Sequence, residues 1–242
     1  MAHGVTVDSS GNSYVTGYTD GGLDGNSSSG KQDFFLTKYN SSGTKEWTKQ
    51  EGSSGNDYAY GVAVDSSDNI YVTGYTDNRL HGNNKSGRFD IFLVKYNSSG
   101  ARQWTEQLGT SNNEYASAIA TDSSDNIYVT GMTWGGLDGS TKPKYCMGYG
   151  TVKAFKECTD IFLVKYNSSG TKQWTRQFGA PSFLEKSKYS SSSQMTTSED
   201  KGIGVAVDSS GNIYVTGNTE GGMDGNTNSG KNDIFLVKYN SM

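Results

Sequence analysis

One loop pattern in this sequence has the residue types of a metal site. Oxygen-bearing side chains alternate around a glycine between Asp24 and Asp33, and the arrangement returns between Asp224 and Asp233. Alternating carboxylate and amide oxygens around a tight turn are what a hard cation such as Ca²⁺ requires. The pattern therefore allows a hard cation such as calcium, held through the side chains of Asp24, Asn26, Asp33, Asp224, Asn226, Asn228 and Asp233.

A structural interpretation competes for the same loops. The spacing is not that of an EF-hand, whose glycine stands sixth and whose glutamate stands twelfth. The equivalent loop further along the chain carries His81 and Lys85 instead. A turn rich in Asp and Asn, with Asp33 or Asp233 capping the next strand through its backbone, explains the residues without an ion. We expect no cofactor, and at most weak calcium binding.

Catalytic chemistry has little support in the sequence. His3 and His81 are the only histidines, and neither stands near a nucleophile in a recognisable pattern. The chain contains no G-x-S-x-G elbow, phosphate-binding loop or C-x-x-C motif. We predict that the protein is not an enzyme.

The elements that position these residues are repeated. The text GVAVDSSDNIYVTG, followed after a polar loop by DIFLVKYNSSGARQWTEQLG, occurs in four similar copies, which begin at Gly4, Gly61, Ala118 and Gly204. Two insertions, over residues 140–159 and 180–200, lengthen the third copy. A period of this length indicates a modular array within one domain, residues 1–242, with blades at about 4–58, 59–115, 116–200 and 201–242.

Each copy contains four runs rich in β-branched and aromatic residues. In the second copy they are Gly61–Asp65, Asn69–Thr76, Asp90–Tyr96 and Arg102–Leu108. The third run is apolar on both of its alternating faces, which is typical of a sheet packed between two others. Four-stranded antiparallel units of this kind are propeller blades. The sequence predicts an all-β propeller of four blades, the last of which lacks its outer strand.

The motif itself resembles the bacterial SBBP-type β-propeller repeat and is similar to its relative, the NHL repeat. The residues that carry the resemblance are G-V-A-V-D-S-S-x-N-I-Y-V-T-G and D-I-F-L-V-K-Y-N-S-S-G-x-x-Q-W-T, over nearly the whole chain apart from the insertions. The resemblance implies a propeller of secreted or surface bacterial proteins. It implies no catalytic residues.

Two other recurring positions have structural explanations. The acid that ends each first run is expected to accept backbone N–H groups in the following turn, rather than to form a metal-binding ring: Asp8, Asp65, Asp122 and Asp208. The tryptophans of the fourth run are expected to pack between blades, rather than to stack on sugars: Trp47, Trp104 and Trp174.

Composition limits partners and compartment. The net charge of −4 argues against nucleic acid as the main partner, and no apolar run is long enough to span a membrane as a helix. Cys146 and Cys158 lie in the same insertion, which favours a disulfide and an oxidising compartment over two free thiols. The first strand follows Met1 almost at once, as in a mature or engineered chain. We expect a secreted or bacterial cell-surface protein.

The alternating directions of the strands determine which loops lie on the same face of the ring. The loops between second and third strands, and the links between blades, share one face of the ring and hold every insertion. We call it the variable-loop face and the opposite side the turn face. The predicted contact residues of the variable-loop face lie at the base of the third blade's insertion: Trp134, Leu137, Asp138 and Tyr145.

Three functions remain at this point. The first is a binding or scaffold module for protein or glycan; the second is a structural protein that self-assembles through the incomplete last blade; the third, with least support, is a hydrolase with a site in the central channel. The free edge at Ile234–Tyr239 is expected to be covered, either by a second copy or by residues 180–200. A closed four-bladed ring and a dimer forming an eight-bladed ring both fit.

Overall fold

Fifteen strands form four antiparallel sheets, as the repeated text predicts. The computed structural model describes residues 1–140, 158–180, 199–223 and 225–240, together with the backbone of short strands at 145–147, 155–157, 184–185 and 194–195. The first two blades are β1 (Ala2–Val7), β2 (Ser13–Thr19), β3 (Asp33–Tyr39) and β4 (Lys45–Glu51), then β5 (Asp57–Val64), β6 (Ile70–Thr76), β7 (Asp90–Tyr96) and β8 (Arg102–Leu108).

The third blade contains a short hairpin between its second and third main strands. Its strands are β9 (Glu114–Thr121), β10 (Ile127–Thr133), β13 (Asp160–Tyr166) and β14 (Lys172–Phe178), and β11 (Tyr145–Met147) pairs with β12 (Phe155–Glu157). A 3-10 turn covers Leu137–Gly139. After a pair formed by β15 (Leu184–Glu185) and β16 (Gln194–Met195), the fourth blade has β17 (Lys201–Val207), β18 (Ile213–Thr219) and β19 (Asp233–Tyr239). Among the described residues, no helix is long and apolar enough to cross a membrane.

The first strand of each blade begins earlier than the sequence pattern indicates. In the second blade β5 starts at Asp57 instead of Gly61. Its pairing with β6 shifts register between Ala59 and Gly61, which interrupts the alternation of residues. The first blade stabilises these additional residues of β5, because Asp57 N–H donates to the carbonyl of Gln32 at 2.7 Å.

Adjacent blades pack through two different apolar faces. Each blade has a leading face, represented in the second blade by Tyr71, Ile91 and Leu93, and a trailing face, represented by Val72 and Phe92. Leading residues of one blade and trailing residues of the next form a common core at each of the three junctions. The innermost strands, β1, β5, β9 and β17, contact one another in that order.

The four blades form an open arc. Ile234 and Leu236, on the leading face of the fourth blade, are 88% and 69% exposed, whereas Ile91 and Leu93 at the same repeat positions are 2% and 1% exposed. Val5 on the trailing face of the first blade is 70% exposed, and its equivalent Val62 is 7% exposed. The two end faces therefore do not meet. Of the two predicted arrangements, the closed four-bladed ring is not formed by the described residues, and the eight-bladed ring of a dimer stays a prediction.

Candidate functional site

A ribbon of eight rings crosses the first three blades on the variable-loop face. Every ring lies within 6 Å of a neighbour, with centroid separations of 4.5 Å for His3–Tyr60, 4.7 Å for Tyr18–Tyr58 and 4.5 Å for Tyr75–Tyr115. We call it the aromatic ribbon, and its members are His3, Tyr18, Tyr58, Tyr60, Tyr75, Phe89, Tyr115 and Trp134.

The ribbon is built by strand ends near the centre of the arc. Tyr58 and Tyr60 stand at the start of β5, and Tyr75 stands at the end of β6, opposite Tyr58 in the register. Tyr115 occupies the start of β9, which contacts β5 directly. Neighbouring innermost strands thus bring tyrosines from adjacent blades into edge-to-face and stacked contact.

The rings of the ribbon are partly exposed at the surface. All the ribbon tyrosines, Phe89 and Trp134 are half-buried, and His3 is exposed. Burial raises the pKa of Tyr58 and of Tyr115, and burial with the hydrogen-bonded Tyr60 hydroxyl raises that of Tyr75. The phenols of Tyr58, Tyr75 and Tyr115 therefore stay neutral and can donate hydrogen bonds at neutral pH. Arg88 adds a cation at one edge, its guanidinium carbon lying 5.3 Å from the Phe89 ring centroid.

The structure separates the four predicted contact residues. Trp134 joins the ribbon, 5.3 Å from Tyr115. Leu137 is fully buried in the core between the second and third blades, so it has no surface to offer. Asp138 is exposed but engaged by Lys172 and Thr175 of its own blade. Tyr145 lies in β11, and its side chain is outside the described residues.

In the first blade, the residues of the predicted calcium loop hold their own blade together. Asp24 accepts from Thr48 Oγ1 and pairs with Lys45 Nζ, both at 2.5 Å. Asn26 turns its amide nitrogen to the Leu23 and Thr48 carbonyls. Asp33 is fully buried and accepts from Ser29 N and Gln50 Nε2.

The last blade repeats only part of this arrangement. Asp233 accepts from Ser229 N and Oγ, and Asn228 Oδ1 accepts from Gly230 N. Asn226 donates to Met223 O, and Asp224 lies outside the described residues. No group of three His, Cys, Asp or Glu in the described part of the chain is placed to hold a metal ion.

The two histidines have separate surroundings. His81 Nδ1 lies 2.8 Å from Thr105 Oγ1, and its Nε2 lies 2.9 Å from Glu51 of the preceding blade. His3 belongs to the aromatic ribbon, where its partial desolvation, followed by the positive charge of the N-terminus, lowers its pKa.

The recurring acid makes the same hydrogen bonds in all four blades, and the recurring tryptophan makes the same contact in the first two blades. Asp65 accepts hydrogen bonds from Ser67 N, Asn69 N and the hydroxyl of Tyr71, so it fastens the turn to the second strand. Trp47 lies against Gly100 in the turn of the next blade, and Trp104 lies against Gly170 in the same way. These positions are explained by blade packing.

The predicted disulfide stays a prediction. Cys158 is buried, and the side chain of Cys146 lies outside the described residues. Mass spectrometry of the non-reduced protein checks it, since a bridge removes two mass units and blocks alkylation of both thiols.

Sequence reasoning missed most of the ribbon. Its members stand at repeat positions that differ between copies, whereas the core positions hardly change. Tyr60, for example, corresponds to His3, Ser117 and Ile203, and Tyr75 corresponds to Tyr18, Met132 and Asn218. Variation between copies inside otherwise constant strands was the available signal.

Comparison with known proteins agrees with the blade architecture. The sequence profile of a β-propeller repeat family, SBBP, matches residues 2–24, 46–81, 103–138 and 173–222, more than half of the chain. An uncharacterized WD repeat-containing protein of Acanthamoeba polyphaga mimivirus is 28% identical over 174 residues, which is 62% of this chain and 12% of that protein. The regulatory protein FlaEY of Caulobacter vibrioides is 31% identical over 107 residues, 41% of this chain and 11% of that protein.

The chain thus spans about one eighth of the length of these two relatives. Among solved structures, a polysaccharide lyase (ulvan lyase) aligns over 98% of this chain and 55% of its own, with 14% identity and a TM-score of 0.49. A protein of unknown function from Bacteroides caccae aligns over 99% of this chain and 60% of its own, with 9% identity and a TM-score of 0.45.

Proposed function

The chain belongs to the SBBP β-propeller repeat family, and from that premise we propose that it is a non-catalytic binding module whose variable-loop face holds a protein or a glycan. The observation that carries this proposal is the aromatic ribbon. Tyrosine and tryptophan rings that are half-buried combine a fixed apolar surface with a polar tip, at low cost in side-chain entropy. Such rings stack on sugar faces and anchor protein partners.

The ribbon is preorganised. Its rings hold one another, and Tyr75 touches Tyr58, Tyr60 and Tyr115 at once. A ligand would therefore find the aromatic surface already ordered, so little conformational entropy is lost on binding. Arg88, whose guanidinium carbon lies 5.3 Å from the Phe89 ring centroid, offers a polar contact at the edge of the ribbon.

The test is a binding screen with matched variants. Labelled protein is applied to glycan arrays and to arrays of extracellular proteins, and each hit is measured by calorimetry. Tyr58→Ala and Tyr115→Ala are expected to weaken a true ligand by about tenfold or more. Tyr39→Ala is the control, because Tyr39 is also half-buried but lies at the turn face. Failure to bind on either array, or an equal loss in Tyr39→Ala, would contradict the proposal.

We place the protein outside the cytoplasm, either secreted or on a bacterial cell surface. This part of the proposal rests on the predicted Cys146–Cys158 bridge and on the resemblance to surface propeller repeats. Fractionation of cells expressing the native gene, with detection of this chain in each fraction, tests it.

Self-assembly is a second candidate function, favoured by the exposed end faces of the arc. The leading face at Ile234 and Leu236 repeats the residues that are buried at the inner junctions, and the trailing face at Val5 does the same. The end of one copy is therefore shaped to accept the beginning of another. Sedimentation over a range of concentrations tests whether copies associate.

A further inference from the structure

The two ends of the aromatic ribbon differ in charge. Where the first and second blades meet, the ribbon lies near carboxylates, and Asp77 and Asp20 are among the charges that act on Tyr58. Where the second and third blades meet, the acidic repeat position is occupied by Trp134. The equivalent residues of the other three blades are Asp20, Asp77 and Glu220. The ribbon therefore loses a negative charge where it reaches the third blade.

Arg88 adds a positive charge at this same end. Its guanidinium carbon lies 5.3 Å from the ring centroid of Phe89, which is aromatic only in the second blade. The charge of Arg88 also reaches Tyr115, where it opposes the rise in pKa that burial causes. Within the described ranges, no carboxylate lies close enough to form an ion pair with Arg88. The exposed guanidinium is thus placed on an aromatic ring with its charge uncompensated.

The acid next to Tyr115 in the chain does not neutralise this charge at the surface. Glu114 is fully buried, and its two carboxylate oxygens accept hydrogen bonds from the backbone and hydroxyl of Thr110 and from the hydroxyl of Thr133. Burial raises the pKa of Glu114. The surface that surrounds Arg88 is therefore aromatic and positively charged.

The spacing of the rings favours a sugar over a peptide. The ring centroids of Phe89 and Tyr115 are 5.3 Å apart, as are those of Tyr115 and Trp134. Rings this close leave no room between them for a side chain, whereas protein partners anchor large side chains in pockets. A sugar ring has a broad C–H face and can lie across neighbouring aromatic side chains, with its hydroxyl groups near their polar tips.

We propose that Arg88, Phe89, Tyr115 and Trp134 form a subsite for an acidic sugar, whose carboxylate or sulfate ester binds the guanidinium while its ring lies on the aromatic side chains. This inference rests on the proposed binding function of the variable-loop face and adds the chemical class of its ligand. Arginine presents N–H donors in a planar fork that can engage two oxygens of one anionic group. Hydrogen bonds between charged partners are stronger than those between neutral ones.

The probes are short oligosaccharides in matched pairs. Oligogalacturonides are paired with their carboxyl-reduced forms, and sulfated galactan oligosaccharides are paired with their desulfated forms. Affinities are measured by calorimetry at about 0.15 M salt, where attraction between distant charges is largely screened. We expect the acidic member of one pair to bind about tenfold or more tightly than its neutral counterpart. The pair that shows the difference distinguishes a carboxylate from a sulfate ester.

Three variants locate the preference. Arg88→Gln should remove the difference between acidic and neutral probes while neutral binding persists. Lys31→Gln is the matched control, because Lys31 is an equally exposed cation at the same repeat position of the first blade but precedes Gln32 instead of Phe89. Trp134→Asp restores the acid that the other blades carry, so the fold accepts it, and it should also remove the preference.

The outcomes separate this inference from the proposed function. Equal affinity for acidic and neutral probes, with binding that is still lost in Tyr58→Ala, would overturn the acidic subsite and leave the binding function standing. An equal loss of preference in Lys31→Gln, or binding of acidic peptides but of no oligosaccharide, would overturn the subsite as well. Absence of any glycan or protein ligand would contradict the proposed function and the subsite together.

Discussion

Asp33 of the first blade and Asp57 of the second present carboxylate oxygens to the same small volume beside Gly52. A β-carbon on Gly52 would touch both Asp33 Oδ1 and Asp57 Oδ2, and both aspartates are fully buried. Burial, followed by the charge of Asp33, raises the pKa of Asp57 above its ordinary value. Two further junctions repeat the arrangement, with Asp90 facing Glu114 and Asp160 facing Asp200.

These carboxyl pairs determine the direction in which the stability of the folded protein changes with pH. A carboxyl whose folded pKa is raised binds protons more tightly in the native state, so stability rises as pH falls through the folded pKa and levels off near the unfolded value of about 4. We expect Asp57→Asn to stabilise the protein by about 1 kcal/mol at pH 7, because the amide keeps an acceptor for Ser53 and removes the repulsion. Asp68→Asn is the control. Urea unfolding at pH 5 and pH 7 measures the difference, and an unchanged pH slope in Asp57→Asn would contradict it.

The turn acid Asp208 acts in the opposite direction. Side-chain and backbone hydrogen bonds from Asn212 lower the pKa of Asp208 to about 2, so its contribution to stability is present above the unfolded value and is lost as pH falls toward 2. Asp65→Ala should cost about 2–3 kcal/mol, because it leaves the buried Tyr71 hydroxyl without its acceptor. Asp208→Ala should cost less, since Tyr214 is partly exposed. Equal losses, measured by urea unfolding, would show that burial of the tyrosine does not matter.

The junction between Trp47 and Gly100 can be tested with a closely matched pair of variants. Gly43 and Gly100 occupy the same turn in consecutive blades with φ of +80° and +77°, but a β-carbon on Gly43 meets nothing, and one on Gly100 lies 3.1 Å from the Trp47 ring. Gly43→Ala should cost about 1 kcal/mol from backbone strain alone. Gly100→Ala should cost about 1 kcal/mol more. Similar melting temperatures for both variants would refute a close contact between the tryptophan and the turn.

Most of the fold could be predicted from the sequence because local signals agree with one another. The β-branched runs, the Asn-Ser-Ser-Gly turns and the copy-to-copy identity place β6, β7 and β8 within one residue of their observed ends. The site was harder to predict. Tyr58 and Tyr115 come together only because innermost strands of different blades are adjacent, and this adjacency has no local signature. The prediction that Leu137 is a contact residue was wrong for the same reason, because its burial depends on residues of another blade.

The predicted calcium loops give a test without mutagenesis. Asp24 is already paired with Lys45 and Thr48, and its side-chain hydrogen bonds to them lower its pKa. We therefore expect EDTA to leave the melting temperature unchanged and added calcium to raise it by no more than a degree or two. A ligand that binds only the native state would raise stability with concentration. A larger shift with calcium, absent with magnesium, would establish a site that the side-chain contacts do not suggest.

Leu236 and Leu93 occupy the same repeat position, but Leu236 is exposed and Leu93 is buried. Substitutions at these two positions therefore distinguish an effect on folding from an effect on assembly. Leu93→Ser removes a buried side chain from the core between the second and third blades and should cost about 3 kcal/mol or more. Leu236→Ser changes an exposed residue, so the free energy of unfolding of the monomer should change by less than about 0.5 kcal/mol. If copies associate through their end faces, the same variant should reduce the mass-average molecular weight at high concentration, and Val5→Ser should act equally from the other end. Association that survives both substitutions would mean that copies meet through a different surface.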